Sequence, residues 1–377
     1  MPAPNSRSEV DVLILGAGPA GSGLALALKR AGVADVLLVD RPARWPFRIG
    51  ETAAPSLGPL LRRLGLEDRL DGRGHQPCHG NLYLWGGPAT TIEDFMTRAY
   101  GPGWHLDREA FDAWLRAEAV TGGAKLLSPA HLAAVRRDGD GWQVDIRTAG
   151  VNFQARTRWM VDASGRPAAF ARRSGARLNR FDRLIALAAL AEPVESRCFD
   201  GFSVVEAVEF GWWYAARLPG GKAVIALMTD VDLAREANLF SPVIFRQAWA
   251  ATSEIVHFVP ALEEARCPVI FAAGTQFIDR AIAPGWLALG DALIALDPLS
   301  AAGVTGALED AIAAADAIVR LLGLPGRGEA RDLRSAYAAR ANATLRRYLV
   351  ERSAIYGREE RWRTSSFWQR RATVAIQ

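Results

Sequence analysis

Cysteine is scarce in this chain. Its three cysteines, Cys78, Cys198 and Cys267, stand far apart with no C-x-x-C spacing, and only five histidines accompany them. Neither a disulfide frame nor a metal cluster is encoded, so no metal is expected and the thiols are expected to be buried. Long apolar runs are missing too: none reaches the ~18 residues of a spanning helix, and no membrane partner is expected. The opening residues MPAPNSRSE have neither an apolar signal core nor transit-peptide character, which gives a cytoplasmic location as the expectation. Lysine is rare, with only Lys29, Lys125 and Lys222. The positive charge is therefore carried by arginine, and no aromatic-studded binding module accompanies it, so no nucleic-acid partner is expected. Internal repeats and low-complexity tracts are absent.

What is present is a chain of 377 residues, half of them hydrophobic, long enough for two intimately joined domains around a large core. The net charge of +4 is uneven, because Arg320 to Gln377 carries 13 arginines against 5 acidic residues. The strongest local signal is VDVLILGAGPAG, Val10 to Gly21. A run of Val, Leu and Ile reads as a strand buried on both faces, and Ser22 to Ala31 follows with helical spacing. Gly16 permits the sharp turn, Gly18 leaves bare backbone for a pyrophosphate, and Gly21, next to Ala20, lets the helix approach the strand. The positive end of that helix faces the phosphates. A second apolar run, Val36 to Val39, ends in Asp40 and Arg41, where the carboxylate can hold a ribose.

Further along, Arg48-Ile-Gly-Glu51 precedes a helix predicted over Ser56–Leu66; the Arg and Glu form either a surface ion pair or a frame for a cofactor ring. Residues 76–103 read as strands and loops. Asp107 caps a helix with Phe111, Leu115 and Ala119 on one face. Strands follow from Lys125 to Met160 with a hairpin at Asp138-Gly-Asp-Gly141, ending in Val161-Asp162-Ala-Ser-Gly165, which is either a cofactor contact or a fold-supporting turn. Alternating strands are predicted through about 171–272, before Gly290-Asp291, Asp297-Pro298, Gly303-Val304 and a helix over Thr305–Leu322.

Taken in order, GAGPAG with Asp40, Asp107-Arg108, Val161 to Gly165, and Gly290-Asp291 with Asp297-Pro298 and Gly303 resemble the FAD-dependent aromatic monooxygenases of the p-hydroxybenzoate hydroxylase type. The resemblance covers the chain to about residue 322. It implies an α/β fold: a Rossmann-like FAD-binding domain of the glutathione-reductase type, an inserted mostly antiparallel β-sheet substrate domain, and a C-terminal helical segment. The expected boundaries are 1–75, 104–170 and 273–323 for the first, 76–103 and 171–272 for the second, and 324–377 for the third. Gly16, Gly18, Ala20 and Gly21 would hold the pyrophosphate, Asp40 and Arg41 the adenosine ribose, and Arg108 the phosphates or ribityl oxygens. Arg48, Glu51 and Asp162 would complete the FAD site. Asp291 would accept a ribityl hydroxyl, while Gly303 and Val304 open a helix toward the flavin's pyrimidine edge. Asp297 and Pro298 would lie at the reactive edge, with capping as the other reading of Asp297.

Arg48-Ile-Gly-Glu51, Gly211-Trp212-Trp213-Tyr214 with Leu218-Pro219, and Asp291 to Pro298 are similar to the branch that holds the flavin-dependent tryptophan halogenases. Those halogenases need a lysine in the strand after the Gly-Glu segment, and Pro77 to Trp85 has none. Their Trp-x-Trp-x-Ile-Pro stretch is also altered here. Halogenation is therefore disfavoured. Pro77-Cys-His79-Gly-Asn81, Trp212-Trp-Tyr, Met228-Thr-Asp230, Arg361-Trp362 and Phe367-Trp368 look similar to the flavoproteins that modify peptidyl tryptophan in tryptophylquinone biogenesis. These serve quinohemoprotein amine dehydrogenase, lysine oxidase and glycine oxidase maturation.

That resemblance implies a monooxygenase in which reduced FAD and O2 give a flavin hydroperoxide that hydroxylates an aromatic ring, a tryptophan of a partner polypeptide. Asn81, Trp85, Trp212, Trp213 and Tyr214 would line the substrate chamber, core packing being the other reading of each aromatic. His79 would supply a proton. No second GxGxxG exists, so electrons would come from a transient NAD(P)H or from a separate flavin reductase. A small phenol or indole substrate and a flavin-binding maturation chaperone are the rival functions. Tyr348, Tyr356, Trp362, Phe367 and Trp368 among the tail arginines read either as a docking surface for the partner or as a helix packed on the FAD domain.

Overall fold

The computed structural model describes residues 7–41, 47–66, 70, 72–95, 100–191, 201–259, 262, 267–323 and 326–372. Its central strand is Arg7–Leu15, paired in parallel with Val36–Val39 on one side and Asn152–Asp162 on the other. Lys125–Leu127 and Trp286–Ala288 extend the parallel sheet outward. Val12, Leu13, Ile14 and all of Val36–Val39 are buried, as a sheet covered on both faces requires. The helices Pro19–Arg30, Arg108–Thr121 and Gly303–Gly323 pack together beside it. Asp107 caps the second of these, its side chain accepting from the Ala110 N–H at 2.9 Å. The hairpin Ala130–Asp138 and Gly141–Thr148 turns between Asp138 and Gly141 and joins Asn152–Asp162.

A seven-stranded sheet forms the second layer. Its order is Val269–Ala272, Leu184–Ala191, Ala223–Asp230, Gly211–Arg217, Phe202–Val208, Gly80–Leu84 and Thr91–Asp94. Every pair is antiparallel except Phe202–Val208 with Gly80–Leu84. The strands expected through residue 272 are interrupted before Val269–Ala272 closes the sheet. Three short helices, Val231–Glu236, Pro242–Ala250 and Ile255–Phe258, stand in that stretch. They run 6, 9 and 4 residues, too short to repeat an apolar face more than two or three times. What makes them helical is tertiary: Pro242 opens one at a tolerated position, and Glu206 accepts from the Ser253, Glu254 and Ile255 N–H groups at the start of another.

The basic C-terminal segment is helical, as expected. Arg327–Tyr356 is a 30-residue helix and Ser366–Ala372 a short one. Tyr337 donates to the Ala288 carbonyl at 2.9 Å and Arg340 pairs with Asp310 at 2.8 Å, both in the FAD-side layer. Farther on, Trp368 Nε1 donates to the Val208 carbonyl and Arg370 and Arg371 grip Asp230 on the seven-stranded sheet. Tyr348, Tyr356, Phe367 and Trp368 are buried. These rings and arginines serve the chain's own packing, and the docking reading of the tail is withdrawn. One expectation about the thiols also fails: Cys78 is buried but Cys267 is exposed, and Cys198 lies outside the described residues.

Arg371 is a fully buried cation whose carboxylate partner is Asp230. Replacing Asp230 with Ala strands that charge, and urea denaturation is expected to show a loss of about 3–5 kcal/mol. A loss below about 1 kcal/mol, the value of a surface pair, would contradict the packing described.

Candidate functional site

The glycine turn has two sealed positions and one open one. Gly16 sits at φ +103°, and a Cβ there would lie 2.3 Å from the Ala163 carbonyl oxygen; one on Gly21 would lie 1.9 Å from the Gly16 carbonyl oxygen. Around Gly18 there is nothing within 4 Å. Asp40 accepts from the Ala17 N–H at 2.9 Å and pairs with Arg116 at 3.3 Å, so it holds the turn in shape. Arg41 follows, exposed.

The other stretches converge on this turn. The Ala163 carbonyl seals Gly16 from below, and Gly290 sits close enough to Ala20 that a Cβ would come within 2.8 Å of the alanine's. Asp291 is 42 % exposed, lies 3.8 Å from Arg166, and feels the charges of both Arg166 and Arg108. Gly303 opens the long helix with free space above it, while Val304 is buried. Asp291, Gly303, Gly306, Arg340 and Arg347 line a cleft of about 350 Å³.

Asp162 does not face this site. Its carboxylate accepts from Ser164 N and Oγ and from the Phe170 and Ala171 N–H groups, at 2.6 to 3.0 Å. It is the fold-supporting member of the pair of readings, and its removal from solvent raises its pKa against those hydrogen bonds.

Arg48 pairs not with Glu51 but with Asp112. Arg108 binds the same carboxylate at 3.3 Å and gives its remaining donors to the Ile49 and Gly50 carbonyls at 3.0 and 3.1 Å. Asp112 was missed from the sequence, although its i,i+4 spacing from Arg108 on a helix was a readable signal. Glu51 is 2 % exposed. One oxygen accepts from the Gly50 N–H at 2.9 Å, and the other has no partner. Burial pushes its pKa up to about 7 against the pull of Arg108.

Asp297 is gripped from three sides. Leu299 N–H donates to one oxygen at 3.0 Å, while Tyr356 OH at 2.7 Å and Arg352 Nε at 3.4 Å bind the other. The capping reading therefore holds, and the carboxylate is not placed to act on a substrate. Pro298 follows in the turn Pro298–Ser300 that Asp297 caps.

The aromatic residues divide by strand alternation. Trp213 faces the short helices, its ring 5.1 Å from that of Phe245. Trp212 faces the C-terminal segment, donating to Tyr356 OH at 2.9 Å. Both are buried, and neither is among the residues lining the cleft of about 360 Å³ beside Trp85. Tyr214 is half-buried on Trp212's side of the strand, its hydroxyl 2.6 Å from Thr52 Oγ1. Trp85 gives its N–H to the Ile355 carbonyl at 3.0 Å and keeps one side on a cleft of about 360 Å³. Tyr83, Glu93, Leu299 and Arg358 share that cleft, with Ile92, 65 % exposed, at its lip. Asn81 stands behind it: Asn81 Nδ2 and Tyr83 OH both donate to Glu93 Oε2 at 3.1 Å. His79 is half-buried with its Nδ1 unpartnered.

The geometry fits FAD: an open cradle over Gly18, a helix start at Gly303 and an unpartnered buried oxygen on Glu51. A family profile described as an FAD binding domain matches residues 9–351. The chain belongs to this FAD-binding family. Among similar members, the putative FAD-dependent oxidoreductase LodB of Marinomonas mediterranea is 29% identical over 364 residues, 96% of either chain. The tryptophan 2-halogenase of Chondromyces crocatus is 26% identical over 330 residues, 84% of this chain and 62% of that one. Among solved structures, the peptidyl tryptophan dihydroxylase QhpG, described as essential for tryptophylquinone cofactor biogenesis, superposes with a TM-score of 0.79 at 25% identity. The match covers 98% of this chain and 80% of that one. The halogenase CmlS shares the fold, with a TM-score of 0.84 at 23% identity over 97% of this chain and 68% of that one. This FAD-binding protein is thus a flavoenzyme of the monooxygenase and halogenase family.

Glu51 gives a pH signature in the FAD-free protein. Between about pH 4.5 and 7 the folded protein keeps a proton that the unfolded chain releases, so stability falls as pH rises through that window. The expected loss is about 3 kcal/mol, and Glu51→Gln is expected to abolish it. A parallel pH dependence of urea denaturation in the two proteins would show that Glu51 is not desolvated. Separately, Gly18→Val is expected to leave the stability of the FAD-free protein within about 1 kcal/mol while eliminating flavin uptake measured by absorbance.

Proposed function

We propose that this flavoenzyme hydroxylates an aromatic ring, the side chain of a tryptophan in a partner polypeptide. The observation that carries the reading is the cleft of about 360 Å³ walled by Tyr83, Trp85 and Leu299, beside the turn Pro298–Ser300. It lies at the small end of ligand-pocket volumes, a size for one ring delivered from outside. The likeness to QhpG supports the peptidyl target.

When bound and reduced, FAD supplies the activation of O2 for transfer of one oxygen atom to the ring. The rest falls to the chain. Gly16 to Gly21 hold the pyrophosphate and Asp291 the ribityl chain, while Gly303 and Val304 direct N–H groups at the flavin. Trp85 and Tyr83 grip the indole edge-on, and Glu93, fixed by Asn81 and Tyr83, accepts its N–H. The apolar wall excludes water from the electrophilic oxygen. Electrons come from NAD(P)H or a separate flavin reductase. In this proposal residues 1–75, 104–170 and 273–323 serve the cofactor, and 76–103 with 171–272 the substrate.

Halogenation is the activity named for several relatives, but the lysine it demands has no counterpart at this cleft. Lys29 donates to the Val33 and Ala34 carbonyls, Lys125 pairs with Asp35, and Lys222 stands in an exposed turn.

Aerobic incubation of the reduced, FAD-loaded protein with a tryptophan-bearing peptide and chloride, followed by mass spectrometry, tests the reading. The peptide is expected to gain oxygen and free tryptophan to remain unchanged. A chlorinated peptide, or oxygen added only to free tryptophan, would overturn it. Glu93→Gln is expected to lower kcat/KM for the peptide roughly tenfold, the value of one charged hydrogen bond.

A further inference from the structure

Behind the cofactor-facing loop lies an unbroken string of hydrogen-bonding side chains drawn from four separate elements. Tyr214 OH lies 2.6 Å from Thr52 Oγ1, Thr52 Oγ1 lies 2.8 Å from Ser203 Oγ, and Ser203 Oγ lies 3.1 Å from His105 Nε2. Ser203 and His105 are fully buried, whereas Tyr214 and Thr52 at one end and His79 beyond the other are half-buried. The string thus runs from a partly open end at Tyr214 and Thr52 into the closed interior at His105, whose ring feels the half-buried His79 through space. Tyr214 packs in the same apolar cluster as Tyr83, Trp85 and Leu299, three residues that line the proposed substrate cleft, and it feels the charge of Glu51.

We propose that Tyr214, Thr52, Ser203 and His105 form a proton relay between the cofactor side of the site and His79. The proposal rests on the reading of this site as one that reduces O2 at bound FAD. Inserting one oxygen, ArH + O2 + 2 e⁻ + 2 H⁺ → ArOH + H2O, requires two electrons from NAD(P)H or a reduced flavin and two protons. Those protons must cross a wall built to exclude water. Each hydroxyl in the string both donates and accepts, and an imidazole takes a proton on one nitrogen while giving it from the other.

Two further observations separate a relay from a structural cluster. Structural networks satisfy nearly all of their buried polar atoms. Here the Nδ1 atoms of His105 and His79 have no partner, nor has Oε1 of Glu51. Among the described residues the only other buried side-chain atoms left without a partner are Trp213 Nε1, Trp249 Nε1 and Arg371 Nε. The Nδ1 of His105 ends the string, and Glu51 and His79 lie near its two ends, close enough for their charges to act on Tyr214 and His105. The groups facing the string hold it uncharged between transfers. Burial, reinforced by the charge of His79, lowers His105 to about 4, and burial raises the Cys78 thiol beside Ser203 to about 11 despite its hydrogen bonds, with Glu93 adding to the rise. Burial and the Glu51 carboxylate raise the Tyr214 phenol. Glu51, itself under the charge of Arg108, titrates near 7 at the cofactor end and can pass a proton without a large penalty.

The test uses FAD-loaded protein, reduced anaerobically and mixed with O2 without substrate. Reoxidation then consumes one proton for each H2O2 formed. At pH 8, where free protons are scarce, Thr52→Val and Ser203→Ala are each expected to slow reoxidation about tenfold or more. Thr52→Ser is expected to restore a rate within about twofold of the parent. A second readout needs no turnover: in ¹⁵N-histidine spectra the His105 ring is expected to stay neutral from pH 5 to 9 and to shift on Ser203→Ala. Equal reoxidation rates for Thr52→Val and Thr52→Ser would overturn the relay, as would a His105 resonance indifferent to Ser203→Ala. Should one of these variants fail to take up FAD, the other still decides. Because no aromatic substrate is present, failure of the relay and failure of the tryptophan-hydroxylase reading give different results.

Discussion

The buried carboxylate of Asp297 is the constraint on which the rest of the site depends. It gathers the Leu299 N–H, the Tyr356 hydroxyl and the Arg352 guanidinium, and Tyr356 in turn receives the Trp212 N–H. Three parts of the chain meet there: the turn after Gly290-Asp291, the seven-stranded sheet, and the last turn of the C-terminal helix, which carries Arg352 and Tyr356. A charge taken out of water is tolerated only with such partners. Removing any of them would release the turn that presents Leu299 to the cleft. The C-terminal helix is therefore part of the site's frame.

The FAD side was legible because its signals are local. Gly16, Gly18 and Gly21 act on backbone within a few residues, Val36–Val39 is an apolar run bounded by its own acid, and Asp107 caps the helix that begins beside it. The hairpin at Asp138 to Gly141 likewise needs no distant partner. The seven-stranded sheet was legible as strands but not as surfaces. Adjacent residues such as Trp212 and Trp213 point to opposite faces, and the sequence pattern did not reveal that both faces are covered. One cover consists of short helices that repeat their apolar face only a few times, the other of a segment more than a hundred residues away.

Charge was harder still to read. The tail arginines looked available because their acids, Asp182, Asp230, Asp297 and Asp310, are remote in sequence. Asp162 looked like a cofactor ligand because its four donors come from a tight turn whose geometry only the fold displays. Asp112 escaped notice for the converse reason, being an ordinary helix acid until Arg48 arrives from another loop. The pattern is physical: local backbone demands leave marks in sequence, while the partner that neutralises a buried charge does not.

These features describe an FAD cradle and a cleft walled by Tyr83, Trp85 and Leu299, which we propose takes a single ring. The most direct test of that account is isotope tracing with oxygen-18 gas during turnover of a tryptophan-bearing peptide by the reduced holoenzyme. Heavy oxygen bound to the indole carbons of the peptide is the result the account predicts. Unmodified peptide, with the label confined to hydrogen peroxide and water, would contradict it.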